Sequence, residues 1–562
     1  MEPTTLTANK LSLLEYFYEW EELQPNHIFL RQPDGKNWRE ITWREAGIQA
    51  RKIAAALLDM GLLPGDHVGI LSKNCYHWIL TDLAIMMSGL ISVPFYPNLI
   101  AEQLSEVIAA GKIKLLFVGK LEDWENQKNG VPKNLPYISF PHYKGNSPIS
   151  NGLEWETLIQ RYQPLRGKPI PNLRDIWTIL FTSGTTGKPK GVMIDFEGPA
   201  ALMQLEKETN FLGLANTKKH RFFSYLPLNH IAERLIVAAA AIHTGGSISF
   251  GESIQTFVSN LKDTQPTVFM AVPRIWTKFR MGIVAKIPES ALFVLIKIPI
   301  LGVILKQILK KNLGLSNASI RLTGAAPASD PLKNFFSKLG IPIQEVYAMT
   351  ENCGGCTLMP AHIQKNGTVG KAVPGVNLKI DPQNNEILMQ APWLMRGYFE
   401  DETLTAEVLK NHWLHTGDMG LIDDEGFLYI TGRISETFKT SKGKFIAPAS
   451  LEWPFTANDL IEQVCVVGLG LDQPLALINL SESAKNMPRE EIHKRIEHTL
   501  QEVNNQVTNF EKISAVVILS EPWEVSNGIL TPTLKIKRDR LMQLFGPKME
   551  AWSKSDQTVI WH

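Results

Sequence analysis

Apolar positions along the chain switch between a helical period and short continuous runs, so helices and strands alternate from the start. Trp43 to Met60 keeps its apolar residues on one helical face and stops at Gly61. Pro64-Gly65-Asp66 then turns the chain into the apolar run Val68-Gly69-Ile70-Leu71. This alternation predicts an α/β fold, a large N-terminal domain of mixed sheets covered by helices. Glu122 to Gly152, rich in Asn, Gly, Pro and Lys, reads as an exposed connection. Phe427 to Thr431 is a short strand pattern, and the chain restarts over Ile434 to Ile446. A strand-like run from Val464 and a charged helix from Pro488 to Val503 follow, so the last stretch of about 130 residues has the content of a small α+β domain. The boundary is set at Gly432–Ser435, which gives a large domain over 1–432 and a small one over 433–562.

A chain of 562 residues, 44% hydrophobic and 20% charged, can bury a sizeable core, which excludes bulk disorder. Its net charge of +1 supplies no global field toward nucleic acid, so charge recognition must be local. Four cysteines are too few for a disulfide scaffold and point to a reducing, cytoplasmic setting. The first twenty residues carry Glu2, Glu15 and Glu19 without a basic start and apolar run, so no secretory signal is expected. The most hydrophobic stretch, Ala291 to Leu305, is too short to span a bilayer and is broken by Lys297 and Pro299. It reads as a buried helix pair. With Lys306, Lys310 and Lys311 at its flank, the competing reading is a patch in peripheral contact with a membrane.

The sharpest local chemistry lies in Leu180 to Met193, where an apolar strand runs into Thr182-Ser183-Gly184-Thr185-Thr186-Gly187-Lys188-Pro189-Lys190-Gly191. Glycines let backbone amides turn inward, hydroxyls add donors, and Lys188 and Lys190 add charge, a combination suited to a polyphosphate. The Walker pattern is excluded, because Gly184 to Gly187 is too short and Pro189 follows the lysine.

This loop resembles the phosphate-binding signature of the adenylate-forming superfamily, which includes acyl-CoA synthetases, luciferases and peptide-synthetase adenylation domains. Thr323-Gly324-Ala325-Ala326-Pro327 and Glu345-Val346-Tyr347-Ala348-Met349-Thr350-Glu351 resemble its two adenine-pocket segments. Trp413 to Asp418 resembles the segment whose aspartate holds the ribose hydroxyls. Gly432-Arg433 resembles the hinge, Lys439 to Glu452 the loop after it, and Thr533 to Arg538 the terminal lysine motif. The resemblance implies that the small domain is mobile about a hinge near 433–435.

It further implies ATP, Mg²⁺ and CoA as cofactors, with the carboxylate of a fatty acid attacking the α-phosphate and pyrophosphate leaving. Thr182 to Lys190 would then hold the outer phosphates, Glu351 with Thr185 or Thr186 the metal, and Asp418 with Arg433 the ribose. Tyr347 would stack on adenine and Lys535 reach the α-phosphate and the substrate carboxylate. After a domain rotation, the loop bearing Lys442 and Gly443 would face CoA.

On the acyl side, Ser224 to Arg234 and Pro266 to Trp276 resemble long-chain fatty acyl-CoA synthetases, including the bubblegum type. By that resemblance His230 sits beside the acyl carboxylate and gates a tunnel. Glu233 and Arg234 read as a surface ion pair. Cys353-Gly354-Gly355-Cys356 lacks the second ligand pair that zinc needs, so the two glycines read as space for an extended acyl chain. Phe196, Gly198, Ala348 and Ser435 depart from the usual residues at their positions. The rival acceptor is an acyl carrier protein, and the rival class is a non-catalytic nucleotide- or lipid-binding homologue.

Overall fold

The computed structural model describes residues 10–35, 37–183, 189–482, 484, 487–531 and 535–562. An eight-stranded sheet and a nine-stranded sheet, each with a largely parallel centre, dominate the large domain. In the first, His67–Ser72 lies parallel between Ile91–Phe95 and Leu115–Gly119. The helix Trp43–Asp59 begins where the sequence demands it, because Thr42 Oγ1 accepts from the Glu45 amide while the Glu45 carboxylate accepts from the Thr42 amide. The helix Tyr76–Met87 is buried along its whole length, which explains why its sequence is largely apolar, with Asp82 as its one carboxylate. The segment expected as an exposed connection, 122–152, instead contributes strand Tyr137–Ser139 to the eight-stranded sheet and buries Trp124. Its polar turns masked two short apolar anchors.

Strands Trp413–Ile422 and Leu428–Arg433 pair antiparallel in a separate five-stranded sheet. The chain leaves that sheet at Arg433 through one turn of 3₁₀ helix, Ile434–Glu436. Beyond it, Ile461–Val467, Leu475–Leu480, Ala515–Leu519 and Val559–Trp561 form a four-stranded mixed sheet. Its two faces bury separate clusters built only from residues 438 onward, while the main core draws on residues from Leu13 to Leu428. The helix expected over 488–503 spans Arg489–Gln506.

Glu233 and Arg234 do not form a surface ion pair; both are buried and they point to different partners. The Arg234 guanidinium donates to Asp82 Oδ1 and to Thr178 Oγ1, each at 2.5 Å, and lies over the Trp177 ring at 4.1 Å. Asp82 stands on Tyr76–Met87 and Thr178 on Ile176–Ser183, so one cation ties the segment carrying His230 to a buried helix and a central strand. The helical period alone could not distinguish this from solvent pairing. Asp82→Ala leaves that guanidinium uncompensated in the core and is expected to cost about 3–5 kcal/mol, read as a shift in the urea unfolding midpoint.

Candidate active site

One cavity of 2840 Å³ runs between the large and small domains and is lined by both. The hairpin Ile176–Ser183/Pro189–Asp195 brings one wall to it, with Thr182 opposite Lys190 in register and both lining the cavity. Gly184, Thr185, Thr186, Gly187 and Lys188 lie outside the described residues, as does the side chain of Ser183. Strand Gly397–Tyr398 pairs with the second arm of that hairpin. Its Tyr398 hydroxyl donates to Glu351 Oε1 at 2.9 Å, and the Lys190 ammonium lies 5.9 Å from the Tyr398 ring centre. Burial first, and then the Glu351 carboxylate, push the Tyr398 phenol far above its ordinary pKa, which keeps it a donor. Tyr398 carries no local motif in the sequence; only its cross-strand position links the hairpin Ile176–Ser183/Pro189–Asp195 to Glu351.

A second wall is built from three segments. Gly324 packs so close to strand Gln344–Tyr347 that a Cβ there would sit 2.7 Å from Val346 Cγ2, so glycine is required. Ala325, at φ +64°, and Ala326 then face the open cavity together with Val346 and Thr350. The Glu345 carboxylate accepts from Lys333 Nζ at 2.6 Å and from the Ala328 amide at 3.1 Å. It therefore clamps the 324–328 loop to the strand. Tyr347, whose ring lines the cavity, donates its hydroxyl to Asp418 Oδ2 at 2.7 Å. Arg433 Nε donates to Asp418 Oδ1, also at 2.7 Å, across the register pair Asp418–Arg433. Each carboxylate oxygen retains a second lone pair for a hydroxyl donor.

The small domain contributes Lys535. Enclosure by the cavity walls lowers its ammonium pKa, with Arg433 lowering it further, while Asp418, Glu351 and Glu436 pull the other way. Lys535 lines the same cavity as Glu351 and Asp418. Arg538, three residues on, donates to Glu452, to the Val466 carbonyl and to Glu436 beside Ser435. Lys442 and Gly443 are not brought to the cavity: the Lys442 ammonium is 3.9 Å from Asp472 on the outside of the small domain.

On the acyl side, His230 caps the short helix Ile231–Glu233, its Nδ1 accepting from the Ala232 amide at 3.3 Å. Burial, and then the charge of Lys535, pull its pKa down to about 4, so the ring is neutral with its proton on Nε2. Beyond it a π-helical stretch, Arg234–Ala239, offers Leu235 and Ile236 to an apolar arm shared with Leu202, Met203, Phe211 and Leu212. Gly354 and Gly355 line this arm, but Gly355 owes its size to close packing: a Cβ would sit 2.8 Å from Leu202 Cδ2 and 3.0 Å from Trp393 Nε1. Phe196 is buried in the core, and Gly198 admits Cys353 Sγ, so these two departures serve packing. Cys353 and Cys356 are buried free thiols whose pKa burial raises. Among the described residues no cluster of three or more His, Cys, Asp or Glu forms a metal cage.

The model of the AMP-binding enzyme family matches residues 17–399, and that of the AMP-binding enzyme C-terminal domain matches 436–556. The chain belongs to the AMP-binding enzymes. It is 28% identical to the long-chain-fatty-acid–CoA ligase FadD15 of Mycobacterium bovis, over 95% of this chain and 96% of that one. With the long-chain-fatty-acid–CoA ligase ACSBG2 of Mus musculus it shares 27% identity, over 96% and 92% of the two chains. A solved anthranilate CoA ligase, AuaEII in complex with anthranoyl-AMP, superimposes with a TM-score of 0.77 at 19% identity, covering 98% of this chain and all 100% of that one. At that identity the likeness establishes the fold, a large α/β domain with a smaller C-terminal one. Among the described residues no helix is long and apolar enough to cross a membrane.

Glu233 accepts from the Tyr225 amide at 2.9 Å, and burial pushes its carboxyl up to about 8. The unfolded chain releases this proton near 4.5 while the folded protein keeps it until about 8, so stability is lost as pH climbs through that window. Glu233→Gln retains an acceptor but has no proton to lose. Its urea midpoint should therefore gain on wild type between about pH 5.5 and pH 8.5, and parallel curves would show that Glu233 does not titrate in this window.

Proposed function

We propose that this protein is a long-chain fatty acid–CoA ligase with two half-reactions. A fatty carboxylate attacks the α-phosphorus of ATP, the bond to the β-phosphate oxygen breaks, and pyrophosphate leaves. The thiolate of CoA then attacks the acyl carbon, the bond to the phosphate oxygen breaks, and AMP departs. The observation that carries this reading is that Lys535, Arg433, Asp418 and Glu351 line one cavity together with the apolar Leu202, Met203, Leu235 and Ile236. The names of the relatives support a fatty acyl substrate and CoA, rather than a carrier protein, as acceptor.

In the first step the ammonium of Lys535 pairs with the α-phosphate and the incoming carboxylate, two anions that must approach each other. Neutral His230 adds a donor beside that carboxylate without adding charge. Asp418 accepts from the ribose hydroxyls while Tyr347 and Arg433 hold it in place. Thr182 and Lys190, with Ser183 and the segment 184–188, cover the outer phosphates. Glu351, its Oε1 held by Tyr398, would supply the carboxylate for a magnesium ion, which needs only one or two from the protein and would neutralise phosphate charge there. Each buried methylene of the acyl chain contributes ~0.8 kcal/mol, so the apolar arm selects long acids without a charge contact.

The small domain, taken as 433–562, then turns about Ser435. That motion withdraws Lys535 and carries Lys442 and Gly443 inward for the thioester step. The reading includes peripheral contact with a membrane, where long acyl chains reside.

Lys535→Ala is expected to lower acid-dependent pyrophosphate release about 10²–10³-fold while largely sparing thioester formation from pre-made acyl-AMP. Equal loss in both halves would contradict two postures, and a wild-type preference for acetate over palmitate would overturn the acyl assignment. Tyr398→Phe should raise the Mg²⁺ concentration for half-maximal activity several-fold with a smaller change in saturated rate, measured by titration at fixed ATP.

A further inference from the structure

The helices Glu289–Leu295 and Leu301–Asn312 form a hairpin on the surface beside the cavity, and they are not the buried pair that their composition suggested. Leu292, Leu305 and Leu309 pack inward on the cluster around Trp276 and Phe335. On the outside Val294, Ile300, Leu301, Val303, Ile304 and Ile308 stay in water, Ile300 with 76% of its surface exposed. Leu301, Ile304 and Ile308 recur at helical spacing, so the exposure is a continuous stripe. The tip is a tight turn in which the Leu301 amide donates to the Pro299 carbonyl at 2.7 Å. It holds Ile300 at φ +66°, ψ −59°, where a branched side chain is rarely found, and thrusts that side chain outward. Strain and exposed apolar surface thus coincide at one residue, which a monomer in water gains nothing from.

Charge identifies what the stripe meets. Between Pro273 and Asn312 there are eight Lys and Arg against one acid, a net +7 in a chain whose total is +1. That acid, Glu289, is paired with Arg280 at 2.8 Å. Lys338 from the neighbouring helix adds another cation, 4.5 Å from the Phe293 ring. A second copy of this face would bring like charge onto like. An apolar ridge flanked by cations fits the boundary of a bilayer whose headgroups are anionic. The ridge also communicates with the cavity, because Thr277 and Met281 of the adjoining helix Pro273–Val284 line it. We propose that this hairpin seats the protein on an anionic lipid surface, with Ile300 and Val303 in the acyl boundary, Lys297, Lys306 and Lys311 on headgroups, and the Thr277–Met281 edge turned toward the leaflet. That the leaflet supplies the substrate rests on the fatty acyl reading above; the docking itself does not.

The test is flotation of the full-length protein with vesicles of phosphatidylcholine, alone or with about one third phosphatidylglycerol, alongside turnover of octanoate free in solution. Wild type should float with the anionic vesicles in about 0.1 M salt and be released in about 0.5 M salt. The triple change Lys297→Gln, Lys306→Gln, Lys311→Gln should weaken binding about fivefold per lysine, and the pair Ile300→Asp, Val303→Asp at least tenfold. Both variants should turn over octanoate as wild type does, which shows that they fold. Wild type left behind by anionic vesicles, or variants that float equally well, overturns the proposal. So does a concentration-dependent dimer in sedimentation that Ile300→Asp, Val303→Asp dissolves, since the face then belongs to a second copy. Flotation without turnover of any acid would leave the surface standing and sink the ligase reading instead.

Discussion

A guanidinium buried where no water reaches it holds the large domain in register. Arg234 joins the helix Tyr76–Met87 to the strand Ile176–Ser183 and stacks on Trp177. A buried charge is tolerable only when its partners are fixed, so Asp82 and Thr178 restrict where the segment after His230 can lie. The strand it grips runs on into the hairpin bearing Thr182 and Lys190, and the π-helical stretch it begins offers Leu235 and Ile236 to the cavity. One side chain thereby ties the strand that enters the hairpin to the segment that follows His230.

How much of this was legible in the sequence depended on the range of the signal. Local signals held: the one-sided apolar face of Trp43 to Met60 placed a helix, and Pro64-Gly65-Asp66 placed the strand after it. Short motifs located the walls of the cavity, because glycine and hydroxyl patterns encode backbone shape. What failed were questions of environment. Arg234 beside Glu233 has the same letters whether it pairs in solvent or bridges a core. Ala291 to Leu305 has the composition of a buried hairpin, yet only one of its faces finds partners. Tyr398 and Arg538 gain their roles from residues 47 and 102 positions away, a distance over which no periodicity speaks.

The site itself is organised by unequal burial. His230 is kept neutral, Tyr398 is kept protonated, and Lys535 is eased toward losing its proton while carboxylates on the cavity floor oppose the loss. Such a floor is polarised before any ligand arrives, and the donors need little rearrangement when phosphate charge develops.

Arg538 carries a last consequence. It is fastened to Glu436 in the turn after Arg433 and to Glu452 and Val466 in the body of the small domain, and it lies three residues from Lys535. The turn Ile434–Glu436 and the tail are therefore fastened together, like a key fixed to its shaft. Any displacement of that turn would be passed to the segment bearing Lys535 through a single guanidinium.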